Sequence, residues 1–304
     1  MRRHPVFVMV LLLLGAAWGL TQPLGKIAVT GGIHPVGILF WQLLIGAVIL
    51  SAVARRGRRP LPRDGRQWAL AALIAVIGTL LPQAASYTAI GHLPAGIVSM
   101  ITALVPILAL PMAVAAGLER ATARRLTGLV LGLLGAALVA LPGAGLPGGA
   151  ARMWLLIAAL APAFYALEGT LVARIGTAGL DAIALVAGAS AIGAVIALPI
   201  GLSMGVIPGV ADLWSGAGAA LVAMSVMHAV VYAGYLWLIG RAGSVFAAQV
   251  AYVVMIAGVF WSMLILGERY SALVWAALVA ILAGLALVRP ARRDGACDTA
   301  PAGT

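Results

Sequence analysis

Apolar residues fill long runs of this chain, and polar residues gather in short stretches between them. A helix that crosses a bilayer needs ~20 predominantly apolar residues. On that measure the pattern predicts ten helices, over 5–25, 36–54, 68–90, 95–116, 124–142, 153–175, 181–203, 214–239, 244–266 and 271–288. The opening Arg2-Arg3-His4 followed by Val6 to Leu14 imitates a signal peptide. The run continues through Trp18 without a convincing cleavage site, so it is read as the first span.

The pattern is duplicated. Tyr87 to Leu141 can be laid on Leu236 to Pro290, which places Ile90-Gly91 on Ile239-Gly240 and Glu119-Arg120 on Glu268-Arg269. Each copy is an apolar span, a short polar turn carrying Glu-Arg and a second span rich in Ala, Leu, Val and Gly. A repeat of this size implies a duplicated unit. The expected organisation is a first five-helix repeat over 1–147, a second over 148–290 and a disordered cytoplasmic tail over 291–304. Five is odd, so the second copy enters the membrane upside down relative to the first. The fold class is therefore an all-α integral membrane protein with ten transmembrane helices in two inverted five-helix repeats, the organisation of secondary transporters.

Charge then sets the orientation. With the N-terminus in the cytoplasm, all 19 Lys and Arg except Lys26, Arg152 and Arg269 fall on the cytoplasmic side, as the positive-inside rule requires. Both termini are expected there, with Glu119 facing the cytoplasm and Glu268 the exterior. The composition, 63% hydrophobic and 9% charged, excludes an ordinary soluble domain, which carries about 25% charge. A net charge of +11 would suggest nucleic acid in a soluble protein, but here the basic residues sit between spans and no nucleic-acid partner is expected. The lone Cys297 allows no intrachain disulfide. No metal-ligand cluster, phosphate loop or nucleophile elbow is visible, so no metal, cofactor or catalytic residue is expected and the chain is not read as an enzyme.

Trp18-Gly19 with Lys26, the weaker counterpart Tyr165-Ala166 with Arg174, and the turns Gly117-Leu118-Glu119 and Gly267-Glu268 carry a resemblance. In that order they resemble the ten-helix drug/metabolite transporter superfamily, and within it the EamA-type exporters. The resemblance covers nearly the whole chain. The departures are Tyr165 where Trp is usual and Leu118 inside the first Gly-Glu turn. What the resemblance implies is a bacterial inner-membrane transporter, commonly an exporter of amino acids or related metabolites.

A carboxylate deep in a bilayer is costly, so an intramembrane acid is a functional candidate by default. Glu168 is the one such residue, about fifteen residues into its span and near the midplane at ~1.5 Å rise per residue. His228 reaches a similar depth, and both are candidates for substrate binding and proton coupling. His228, Tyr232 and Tyr235 recur at helical spacing on one face, and Gln249 and Tyr252 share another. Trp18, Gln42, Gln83, Tyr87 and Ser99 complete the candidate substrate-binding set from the first half, with Thr102 beside them. For each polar residue the plainer role is a helix–helix hydrogen bond.

Other features read as scaffold or gating. Pro106 and Pro111 interrupt the fourth span. Gly128-x3-Gly132-x3-Ala136 and Ala276-x3-Ala280-x3-Gly284 permit close backbone approach, either within the protomer or in a homodimer. Glu119 and Glu268 are expected to favour the start of the helix that follows each of them. Lys26 is expected to snorkel to the interface. The function these features predict is export of a small metabolite, most simply an amino acid, by alternating access, with lipid and a small-molecule solute as partners. The alternatives are export of cationic drugs and, in another class, a membrane scaffold or lipid-handling protein.

Overall fold

The computed structural model describes residues 5–141, 151–242 and 244–288. The boundary expected at 147/148, the tail expected over 291–304 and Cys297 lie outside them. The described residues are helical and contain no strand. They form α1 (Pro5–Thr30), α2 (Pro35–Arg56), α3 (Gly65–Ile74), α4 (Leu81–His92), α5 (Ala95–Thr102), α6 (Val105–Ala115), α7 (Ala123–Val139), α8 (Ala151–Ile175), α9 (Ala182–Ser203), α10 (Gly216–Ala242), α11 (Ser244–Ala247), α12 (Val250–Leu266) and α13 (Ala272–Val288).

These thirteen pieces make the ten expected spans, because three spans are interrupted. A π turn (Ala75–Leu80) joins α3 to α4. There the Leu81 N–H reaches back five residues to the Val76 carbonyl, immediately before Pro82, which has no N–H to offer. The fourth span breaks at Ala103 and Leu104, just ahead of Pro106 in the first turn of α6, while Pro111 sits inside α6 without ending it. Proline disfavours helical backbone in the residue before it and leaves a carbonyl one turn back without its donor. The break therefore falls on the N-terminal side of Pro106. The third interruption separates α11 from α12.

Polar side chains fix where the helices start. Asp64 accepts from the Gln67 N–H at 2.8 Å. Asp181 accepts from the Ile183 N–H at 2.9 Å and also binds Arg59, tying the loop after α2 to the start of α9. Gly117 and Gly267 both take left-handed backbone, at φ 71° and 67°, where the spans before the Glu-Arg turns end. That conformation is routine only for glycine.

Packing reproduces the duplication. α7 lies along α13 and α2 along α9, each span pairing with its own counterpart. α1 packs on α10 and α12, as its counterpart α8 packs on α4 and on α5 and α6; α10 packs on α2, as α3 packs on α9. Exchanging the halves leaves this pattern unchanged, as a pseudo-two-fold between inverted repeats requires. The small-residue stripes of α7 and α13 meet each other within the protomer. A Cβ on Gly128 would stand 2.7 Å from the Gly284 carbonyl oxygen, and a Cβ on Gly284 equally close to that of Gly128.

Candidate functional site

Where α1, α4, α8 and α10 face one another, the bundle is filled by polar and aromatic side chains instead of aliphatic ones. α4 and α10 are counterparts under the repeat, as are α1 and α8. On α4, Tyr87 donates its hydroxyl hydrogen to Gln42 of α2. Gln83, one turn earlier, meets the Tyr165 hydroxyl of α8 through its amide nitrogen and leaves its buried Oε1 without a partner. Tyr165 lies within electrostatic reach of Tyr87, of Tyr232 on α10 and of Glu168 on its own helix, one turn on.

Glu168 enters the space through a gap in the opposite wall. A Cβ on Gly78, inside the π turn, would lie 2.5 Å from Glu168 Cδ and 2.8 Å from its Oε1. Glycine at 78 is thus what lets the carboxyl lie against the α3–α4 backbone. Gly78 carries no signal of its own in the sequence; Pro82 four residues on marks the place, since a proline inside a span disturbs the ladder. π turns inserted into α-helices recur at functional sites.

Trp18 closes the other side. Its ring meets His228, Tyr232 and Tyr235 edge to face at 5.9, 6.2 and 5.7 Å between centroids, and His228 stacks on Tyr232 at 6.4 Å. Such T-shaped pairs contribute about 0.5–1.5 kcal/mol each beyond the area they bury. Among the described residues, Glu168 and His228 form neither a hydrogen bond nor an ion pair with each other. Tyr232 lies within reach of both.

Seven of the predicted positions, Trp18, Gln42, Gln83, Tyr87, Glu168, His228 and Tyr232, thus share one region, and Tyr165 joins them. The others lie apart. Ser99 is buried against Gly258 where α5 crosses α12, so it belongs to a packing contact. Thr102 turns its hydroxyl back onto the Val98 carbonyl at 2.9 Å. Gln249 and Tyr252 line a separate cavity of about 220 Å³ between α6 and α12, walled by Pro106 and Leu110 with Glu119 and Arg125 also on its lining.

Two charged residues depart from expectation. Lys26 does not snorkel: its Nζ donates to the carbonyls of Ile90, Gly91 and Leu93 at 2.6, 3.3 and 3.0 Å, capping the end of α4. Those carbonyls have no intrahelical donor, so an ammonium there satisfies them and meets the negative end of the helix dipole. Glu268 does not serve α13, the next helix in sequence. It accepts from the Ala95 and Gly96 N–H groups at 2.7 and 3.2 Å, at the start of α5, and from the Tyr270 hydroxyl. Glu119 pairs with Arg125 in the first turn of α7, as a helix-start role implies.

A family model for the EamA-like transporter family matches residues 6–141 and again 152–289. A solved crystal structure of a protein aligns with TM-score 0.63 and 18% sequence identity, over 91% of this chain and 97% of that one, which shows a shared fold. No curated protein matches the sequence. With both halves matched, this chain belongs to the EamA-like transporter family, and it is a multi-pass membrane protein of the drug/metabolite transporter superfamily.

Proposed function

We propose that this chain is a secondary transporter of the bacterial inner membrane that exports a small amphipathic metabolite bearing an ammonium group, a class that includes amino acids and organic amines. One observation carries the reading. Glu168, an acid about two-thirds of the way along the membrane-spanning helix α8, stands among hydrogen-bonding aromatic side chains contributed by both repeats. Acids at such depth are rare and serve ion or substrate paths, and a site between inverted repeats is where alternating access operates. A scaffold would need neither the acid nor the gap at Gly78 that admits it.

The arginine distribution supports both termini in the cytoplasm, with the Glu119 end facing inward and the Glu268 end outward. Solute enters from the cytoplasmic cavity between α6 and α12, binds at the polar cluster and leaves when the Glu268 end opens. Glu168 exchanges a proton for the cationic solute and couples export to the proton gradient; His228 is the second group able to do so.

The test is solute flux in proteoliposomes, with and without a pH gradient, for wild type and Glu168→Gln. The expected result is flux that the gradient accelerates in wild type and leaves unchanged in the variant. Flux equal in both proteins and blind to pH removes Glu168 from the mechanism. No flux above protein-free vesicles for any amino acid or amine removes transport itself.

A further inference from the structure

The alignment that lays Glu119 on Glu268 also lays Ser99 on Ala248 and Ala109 on Gly258. Toward the Glu268 end Ser99 is buried against Gly258, and a Cβ on Gly258 would collide with the Ser99 side chain. Toward the Glu119 end Ala109 and Ala248 both line the cavity between α6 and α12, and Ala248 is exposed. One pair is in contact, while its counterpart borders a void.

The counterpart pair is sized for the same contact. Ser with Gly and Ala with Ala carry the same number of side-chain heavy atoms. Ala248 lacks the Oγ of Ser99, and Ala109 supplies the methyl that Gly258 lacks, so the total volume at a close crossing is unchanged. A third helix is already in place. Gly19 of α1 lies against Gly258, and its counterpart Ala166 is buried on α8, which packs on α6.

What stands off is the junction of α11 and α12, and its backbone is wound tightly. Gln249, Ala251 and Tyr252 donate to the carbonyls of Phe246, Ala248 and Gln249, each three residues back. Ala103, the counterpart of Tyr252, donates instead to Ser99, four residues back. A stretch of i→i−3 bonds within a span often marks a hinge.

We propose that the turn carrying Ala248 is the gate at the Glu119 end: Ala248 seats on Ala109 as Ser99 seats on Gly258, the cavity vanishes, and the turn relaxes toward the helical winding of α5. Ser99 and Ala109 lie on one span, and Ala248 and Gly258 on another. Rocking of these two spans about their middles therefore joins one pair as it parts the other. The gate rests on the transport reading for its use, because it assigns the contact that alternates with the one at Gly258. Its closure is measured without any solute.

The test is oxidative cross-linking of Ala109→Cys with Ala248→Cys in proteoliposomes, in a Cys297→Ser background. A disulfide needs Cα atoms within roughly 7 Å, so its rate reports how often the two walls meet. The control pairs Ala248→Cys with Ala113→Cys, one turn along α6 and also on the cavity wall. The expected result is that the first pair bridges at least about tenfold faster than the control, and that Glu268→Ala, which releases the start of α5, speeds it by at least about fivefold. Glu268→Gln, which weakens the same bonds, gives a smaller rise and keeps the test valid should the Ala variant not fold. Equal bridging by both pairs overturns the proposal, since it reports random opening of the cavity. Absent bridging overturns it too, as does a rate that ignores both substitutions at Glu268. Bridging that favours Ala109 and responds to Glu268, in a protein that moves no amine or amino acid, upholds the gate and removes transport. Flux without such bridging keeps transport and removes the gate.

Discussion

The two Glu-Arg turns began as copies of one segment and now do different jobs at opposite ends of the bundle. Glu268 reaches away from its own repeat: it holds the start of α5, accepts from Tyr270, and lies within electrostatic reach of Lys26, which caps α4 from α1. The tip between α4 and α5 is thereby clamped from two sides. Glu119 stays local. Arg125 pairs with it at 2.5 Å and also donates to the carbonyls of Arg120 and of Val288 at the end of α13. Ala121 stands where the first copy would need its Tyr270, and Val274 where the second would need its Arg125. The packing follows the chemistry: α5 crosses α12 closely at the Glu268 end, whereas at the other end the 220 Å³ cavity separates α6 from α12. An inverted repeat supplies two exchangeable arrangements. The divergence of its turns ties α5 to α12 at the Glu268 end and leaves a cavity between α6 and α12 at the Glu119 end.

The difference between the two ends depends most on Glu268. Glu268→Ala removes the acceptor of two backbone N–H groups and of the Tyr270 hydroxyl, leaving donors at the start of α5 unpaired. Hydrogen bonds to a charged group contribute about 1.5–3 kcal/mol each, so a loss of about 3 kcal/mol shifts the balance between closed and open ends roughly a hundredfold. A thiol at Met255, fully buried on α12 near the α5 crossing, reports the change in a background with Cys297→Ser. A membrane-impermeant reagent added outside should label Met255→Cys rapidly in Glu268→Ala and hardly at all with Glu268 present. Equal labelling would mean that Glu268 does not hold this end shut.

Arg125→Met should show the opposite profile. It frees a carbonyl of α13 and the Glu119 carboxylate, but that carboxylate is a third exposed, which limits the loss to about 1–2 kcal/mol. Because the bonds it breaks lie inside the α7–α13 scaffold, melting temperature falls while labelling of Met255→Cys stays at its wild-type rate. An increase in labelling would show that the two ends are coupled through the scaffold.

The difference between the ends also marks what the sequence could convey. The ten spans were legible because a bilayer forces long apolar runs, and the inverted repeat because Ile-Gly and Glu-Arg survive in both copies. Glu168 stood out because an acid in such a run has few reasons to exist. What was not legible is which helix a side chain serves. Glu268 precedes α13 in sequence and Lys26 ends α1, so local reading assigns one to the next helix start and the other to the interface. Each instead answers unsatisfied groups of a distant hairpin, 173 and 64 residues away in the chain. Gln249 and Tyr252 share a helical face as expected, but that face lines the cavity beside Glu119 and not the region of Glu168. Periodicity fixes a face; only packing tells what it meets.

Tyr270 allows the finest adjustment of the comparison, because it is the element of the clamp that the other turn lacks. Burial first, and then the Glu268 carboxylate that its hydroxyl donates to, push its pKa above the ordinary 10.0. A group whose pKa is raised on folding contributes fully below its unfolded value and loses that contribution only as pH rises through the folded one. The hydroxyl therefore remains a donor to Glu268 throughout the physiological range, and labelling of Met255→Cys in wild type should not gain a step attributable to Tyr270 until the pH passes well above 10.0. Tyr270→Phe keeps the ring beside Gly96 and deletes the hydroxyl, which donates to Glu268 and also bonds the Gly96 backbone and Ser262, a loss of about 1–2 kcal/mol or roughly five- to thirtyfold in labelling rate. A variant that labels at the wild-type rate would show that the two backbone N–H groups hold Glu268 unaided, and that Ala121 is not what sets the two ends apart.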